Sequence, residues 1–194
     1  MLEHPKSHNY YLCENMKDMD NQQERLGIEL GWLAGAYDGE GCFNISLTRM
    51  ASRNRYYLYP MVTITNTDYT FTDEVVRILD KYDIPYYQNE RIPSNKKYRN
   101  SMGIYIKGLK RIRRLIDLLY PYLIRKERVD VMKEFIDRRI GQNALPAKWK
   151  YTYTPRDIEL VNKLKKLNGN LPLESPETIC RTLTIVDEDI VRSA

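Results

Sequence analysis

A chain of 194 residues with a formal net charge of +5 is long enough to bury one sound core. Its three cysteines, Cys13, Cys42 and Cys180, are far apart and never arranged as CxxC. That argues against a disulfide framework or a zinc site and fits a reducing, intracellular compartment. No apolar run approaches the roughly 20 residues that a bilayer demands, and Met1–Asp20 lacks the apolar centre of a signal peptide, so neither a membrane nor secretion is expected.

In chain order, residues 1–21 are polar and without period and read as an N-terminal arm. A helix is expected from Gln22 to about Tyr37, with Leu26, Leu30, Leu33 and Tyr37 on one ridge. Cys42–Met50 alternates, Phe43, Ile45 and Leu47 against Asn44, Ser46 and Thr48, as a half-buried strand does. Tyr56–Thr65 alternates again, with Leu58, Val62 and Ile64 inward. Asn66-Thr67-Asp68 offers caps for an amphipathic helix over Phe71–Tyr82, which Ile84-Pro85 stops. Tyr86–Ile92 and Tyr98–Lys107 read as a hairpin across Pro93–Lys97. Helices follow over Leu109–Tyr120, Arg125–Ile140 and Asp157–Leu167, the last with a proline in its first turn. Residues 169–194 read as an acidic tail that docks loosely or not at all, which leaves 22–168 as the domain.

Charge is distributed unevenly. Residues 91–139 hold fifteen basic and five acidic side chains, whereas residues 1–24 and 171–194 each hold two basic and five acidic. A basic middle between acidic ends suggests a polyanionic partner. A four-stranded sheet with one polar face can enter a nucleic-acid groove, where base edges present readable donors and acceptors. Asn44, Ser46, Thr48, Tyr57, Tyr59, Thr63, Thr65, Asn89, Arg91, Arg99, Ser101 and Lys107 are the outward candidates for DNA contact, and Arg49, Arg53, Arg55, Lys96 and Lys97 are candidates for phosphates. An ordinary solvated face is the plain alternative for any one of them.

The densest signal is Leu30–Gly41, LGWLAGAYDGEG. Gly27, Gly31, Gly35 and Gly39 recur at every fourth position and therefore stack on one helix face. Each glycine within a helix costs roughly 1 kcal/mol against alanine. Such a ridge is explained by close approach of a second backbone. Asp38 and Glu40 then fall at the helix C-terminus, where the macrodipole is already negative. A carboxylate in that field wants a cation, and a divalent metal with oxygen ligands suits it.

Leu33-Ala34-Gly35-Ala36-Tyr37-Asp38-Gly39-Glu40-Gly41 resembles the LAGLIDADG motif of homing endonucleases, with Tyr37 in place of an aliphatic residue and Glu40 in place of the second aspartate. The resemblance runs from about Gln22 to Leu167. It implies an α+β fold: a single-motif αββαββα core with a four-stranded antiparallel DNA-binding saddle and additional C-terminal helices. It also implies an intron- or intein-type, site-specific endonuclease that cuts both strands of a long pseudo-palindromic DNA as a homodimer. Glu40 would be catalytic and would hold Mg²⁺ together with the Gly39 carbonyl. Lys126, in Pro121–Lys126, falls where the family places its active-site lysine, and Asn66 where it places a water-positioning polar residue. The dimer would meet along Gly31, Ala34, Gly35 and Asp38, with Asp38 serving packing or orientation rather than metal binding. Lys126 could equally be an exposed cation at a helix start, and Asn66 an N-cap. A non-catalytic nucleic-acid binder, such as an intron-splicing maturase or a DNA-binding regulator, is the rival reading.

Overall fold

The computed structural model describes residues 26–50, 55–143, 152–173 and 183–185. Helix α1 (residues 26–40) runs directly into strand β1 (Gly41–Met50), which pairs antiparallel with β2 (Arg55–Asn66). Helix α2 (Tyr69–Lys81), strands β3 (Tyr87–Arg91) and β4 (Ser101–Lys107), and helices α3 (Leu109–Leu119) and α4 (Lys126–Asn143) follow. The chain continues through β5 (Thr152–Tyr153), α5 (Pro155–Leu167) and β6 (Thr184–Ile185). The main sheet is antiparallel throughout, in the order β1-β2-β4-β3.

The alternation in β1, β2 and β4 sorts their side chains as expected. Phe43, Ile45, Leu58, Val62, Ile64, Ile104 and Ile106 are buried in one core with Leu33, Val75, Ile112 and Met132 of the helices. The hairpin strands are shorter than their sequence suggests: Asn95 folds the tip back, its side chain accepting from Lys97 N and its carbonyl from Tyr98 N. Backbone engaged in that turn cannot join the ladder, so β4 begins at Ser101. Gly108, at φ +96°, makes the corner from β4 into α3, a conformation that costs other residues dearly.

The other end of β2 runs past β4, which reaches only Met61–Asn66. There the Leu58 amide donates to the Tyr153 hydroxyl at 2.9 Å. Tyr153 is held by α4 and α5: Arg139 stacks on its ring at 4.4 Å and donates to the Thr152 carbonyl at 2.7 Å, and Arg138 donates to Asp157 and Thr154. Thr154 and Asp157 close a capping box on α5. Within the stretch expected as a tail, Leu183 is buried in the core and β6 pairs in parallel with β5.

The join between α1 and β1 has no loop. A Cβ on Gly41 would lie 2.4 Å from the Tyr37 carbonyl oxygen and 2.7 Å from its Cα, so only glycine permits the crossing. Tyr37 itself is fully buried against Phe43, at 6.3 Å between ring centroids, and its hydroxyl has no partner among the described residues. Burial pushes that phenol well above the ordinary tyrosine value. An unmet buried hydroxyl costs about 1–3 kcal/mol.

Tyr37→Phe is therefore expected to raise the unfolding free energy by about 1 kcal/mol in urea titration. The gain should grow once pH rises above the ordinary tyrosine range. The unfolded chain then releases the Tyr37 proton while the folded chain still holds it, and that destabilises only the parental protein. A loss of stability on removing the hydroxyl would show that it has a partner.

Candidate active site and nucleic-acid interface

Glu40 is exposed at the last turn of α1, two residues before Cys42 on β1, and no hydrogen bond or ion pair engages it among the described residues. Asp38, two residues earlier, is engaged within the subunit. Its carboxylate accepts the Ile124 amide at 2.7 Å and the Arg125 amide at 3.1 Å. These amides lead into α4, so Asp38 bridges the negative end of one helix to the positive end of another.

Lys126 is the first residue of α4, and its ammonium lies 4.9 Å from the Tyr120 ring centroid. Asp38 holds the two residues before it, so the loop carrying Lys126 is tied to the turn carrying Glu40. Asn66 ends β2 on the core-side register with Ile64, at the sheet end where β1 begins. Its side-chain oxygen accepts the Asp68 amide at 3.0 Å. The cap of α2 is Asp68 rather than Asn66: Asp68 accepts from Thr70 N and Phe71 N, leaving Asn66 the supporting Asx turn.

Register aligns the outward residues in rows. Cys42, Thr63, Tyr105 and Tyr87 form one row; Asn44, Met61 and Lys107 a second; Ser46 and Tyr59 a third; Thr48 and Tyr57 a fourth; Thr65, Gly103 and Asn89 a fifth. Arg91 faces Ser101. Outward Asn44 donates to Ser46, and Tyr57 meets Tyr59 edge-on at 5.7 Å. Burial pushes the Tyr59 phenol up, with Tyr57 and Tyr87 adding to the shift. The Lys107 ammonium lies 5.3 Å from the Tyr87 ring and 5.4 Å from the Tyr105 ring, so two aromatic faces hold it in place. Met61, Tyr87, Tyr105 and Cys42 share this face although the residue-type reading passed over them. The alternation alone would have included them. Arg49 is exposed at the end of β1 but keeps the register of the inner face. Lys96, Lys97 and Arg99 are exposed in the hairpin tip. Arg53 and the Arg55 side chain lie outside the described residues.

The glycine ridge of α1 is bare. A Cβ built on Gly27, Gly31, Gly35 or Gly39 meets nothing within 4 Å among the described residues. Ile28, 65% exposed, extends the same face. Ala34 does not belong to it: it is fully buried with Leu30, Leu33 and Tyr37, because its position on the helix turns it into the subunit's own core. The expected contact surface therefore loses Ala34 and keeps Gly31 and Gly35. Trp32 stacks on Phe71 at 5.5 Å and Glu29 pairs with Arg77 and Lys81, which fix α1 laterally on α2.

Among the described residues no group of three His, Cys, Asp or Glu side chains could enclose a metal. Glu40 nevertheless offers a free carboxylate, a hard oxygen donor suited to Mg²⁺, which keeps several waters and takes few protein ligands. The donor set fits one share of a divalent site and not a whole one.

This architecture is that of the LAGLIDADG nucleases, a sheet with one open face and a motif helix ending in acids. Residues 27–120 match the family model described as a LAGLIDADG-like domain, and that segment of the chain belongs to this family. The fold is similar to the LAGLIDADG homing endonuclease I-GzeII in complex with its DNA target, at 19% identity and TM-score 0.56, over 80% of this chain and 50% of that one. The archaeal intron-encoded I-Vdi141I bound to DNA aligns at 17% identity and TM-score 0.54, over 72% of this chain and 83% of that one. The homing endonuclease I-CvuI, in complex with a target in the presence of Ca, gives 14% identity and TM-score 0.51, over 87% and 93%. This chain thus spans half of I-GzeII but most of the other two. No curated protein sequence matches it. No helix among the described residues is long and apolar enough to cross a membrane.

Asp38→Ala should cost about 0.5–2 kcal/mol in urea titration, as loss of a helix-capping carboxylate does. It should also deprotect the Ile124 and Arg125 amides in hydrogen exchange, and Asp38→Asn, which keeps an acceptor oxygen, should recover part of both. Unchanged exchange at those two amides would show that the bridge is not made in solution.

Proposed function

We propose that this chain is a site-specific double-strand DNA endonuclease of the homing type, acting as a homodimer on a long, nearly palindromic target with a divalent metal, Mg²⁺ by its donor chemistry. The observation that carries the reading is the free, exposed Glu40 carboxylate at the end of a glycine ridge on which an added Cβ would meet nothing within 4 Å among the described residues. One subunit supplies one such acid, and cutting two strands calls for two. Packing the bare faces of two α1 helices across a two-fold axis would bring both Glu40 residues together.

In this reading the outer sheet face lies in the major groove. Asn44, Ser46, Thr48, Thr63, Thr65, Asn89 and Ser101 meet base edges, while Arg91 and Lys107 meet bases or phosphates. Glu40, with the Gly39 carbonyl, holds the metal. The bound ion supplies Lewis acidity and an acidified water for attack at phosphorus. Lys126 swings from the Tyr120 face to neutralise charge that builds on the phosphate oxygens. The Asn66 amide hydrogens, with its oxygen already committed to Asp68, orient the attacking water. Asp38 holds the lysine-bearing loop against the glutamate-bearing turn.

Cleavage selection on a randomised plasmid library with Mg²⁺ tests the activity and finds the target. Glu40→Gln should then reduce cutting by more than about 10²-fold while Kd for the duplex stays near the parental value. A variant that cuts at the parental rate removes Glu40 from the site, and a parental protein that binds duplex DNA but yields no cleaved plasmid from the library favours the binder reading.

Gly35→Leu tests the dimer separately. Among the described residues, no atom beyond the helix's own turn lies within 4 Å of the added Cβ, and leucine is the better helix former, so the subunit should fold. Sedimentation should give a dimer for the parental protein and a monomer for the variant, with double-strand cleavage lost. A parental monomer both free and on DNA would exclude the two-fold arrangement.

A further inference from the structure

A hollow of about 770 Å³ opens between the start of β1, the start of α4 and the end of α5. Its wall includes Cys42, Arg125, Lys126, Arg128, Asn168 and Asn170. Three of these are cations within four residues, and none has a carboxylate partner among the described residues. The one acid in the wall, Glu127, is 3.8 Å from Lys163. Arg113, Arg138 and Arg156, by contrast, each pair with a carboxylate. Arg125, the residue before α4, and Arg128, in its first turn, bring like charges into the wall of one hollow. The positive end of the 18-residue helix is already met by Asp38, which accepts the Ile124 and Arg125 amides, so what is left for the hollow is the mutual repulsion of its side-chain cations. Repulsion of this kind is relieved by an anion in the hollow.

The hollow also adjoins the outer sheet face. Cys42 lines it and stands in the row of Thr63, Tyr105 and Tyr87. Burial pushes the Cys42 thiol up while the Arg128 guanidinium acts against it, which puts the Arg128 charge beside this strand start. Asn168 donates to the Phe43 carbonyl at 2.7 Å and fixes the far wall to the edge of β1. A phosphodiester strand lying along the sheet would enter the hollow within two residues of Glu40. A guanidinium grips phosphate oxygens in pairs, which a lysine cannot do.

We propose that this hollow is a phosphodiester seat in which Arg125 and Arg128 together hold one backbone phosphate of duplex DNA, next to the reacting one, leaving Lys126 for the latter. The seat rests on the nuclease reading for its substrate, but its test needs no cleavage. Binding of the parental protein to a duplex of arbitrary sequence is measured in EDTA across a salt series. The double variant Arg125→Gln/Arg128→Gln should lower the slope of log K against log salt by about 0.9, the share of one phosphate. The lysine double variant should restore the slope, which separates lost charge from a lost fold. Duplexes with one methylphosphonate linkage, moved along a strand of a site isolated by binding selection in EDTA, should include one whose neutralisation weakens the parental protein and not the glutamine variant.

A slope equal to the parental one overturns the seat, and so does a lowered slope with no linkage that falls silent in the variant. If the linkage is found and no duplex is cut, the seat stands and the nuclease reading fails.

Discussion

The crossing at Gly41 sets the geometry on which the remainder depends. The chain leaves α1 and enters the sheet with no intervening loop, and the space a side chain would need is occupied by the Tyr37 backbone. Glu40 is thereby fixed at a boundary with helix on one side and sheet on the other. It cannot drift as a loop residue would. The same crossing turns Leu30, Leu33, Ala34 and Tyr37 into the core and leaves Gly31, Gly35 and Gly39 outside. Core packing and the bare face are two sides of one helix, and a change that rotates α1 alters both.

Two carboxylates at a helix C-terminus carry an electrostatic cost, and the molecule meets it differently for each. Asp38 lies against the start of α4, whose amides and dipole compensate it within the subunit. That contact ties the beginning of α4, and with it Lys126, to the end of α1. Glu40 receives no such compensation among the described residues. The residual charge is therefore available to something outside the chain.

The four strands were legible because each has a buried and an open face, and alternation reports that directly. The motif was legible because glycine on every fourth residue is too costly to be incidental. Other features depend on partners distant in sequence. The acceptors on Asp38 meet amides 86 and 87 residues away, which no local pattern encodes. The resemblance puts Ala34 at the dimer seam, yet its angular position sends it to the core; place in a motif and direction on a helix are separate properties. The hairpin strands came out long because alternation continues into Tyr98 and Arg99, where the Asn95 turn has already taken the backbone. Tyr37 fits by shape and leaves its hydroxyl unmet, a tertiary misfit that a substitution tolerated for its ring can carry.

The basic middle of the chain resolves into two populations. Arg113, Lys133 and Arg138 are drawn into ion pairs with Asp117, Asp137 and Asp157, and these lace α3, α4 and α5 together. Their charge is spent within the subunit. Arg91, Lys107, Arg125, Lys126 and Arg128 have no carboxylate partner among the described residues and stand on the outer face or at its edge beside β1. Lys96, Lys97 and Arg99, exposed in the hairpin tip, and Lys110 and Arg111, exposed on α3, fall outside this division. Net charge alone would predict an even attraction for a polyanion. Subtracting the paired charges gives direction: the unpaired cations border the same face that the register makes polar, and Glu40 lies where that face meets the motif helix. A polyanion guided by the field would therefore arrive over the acid and not over the helical back of the domain.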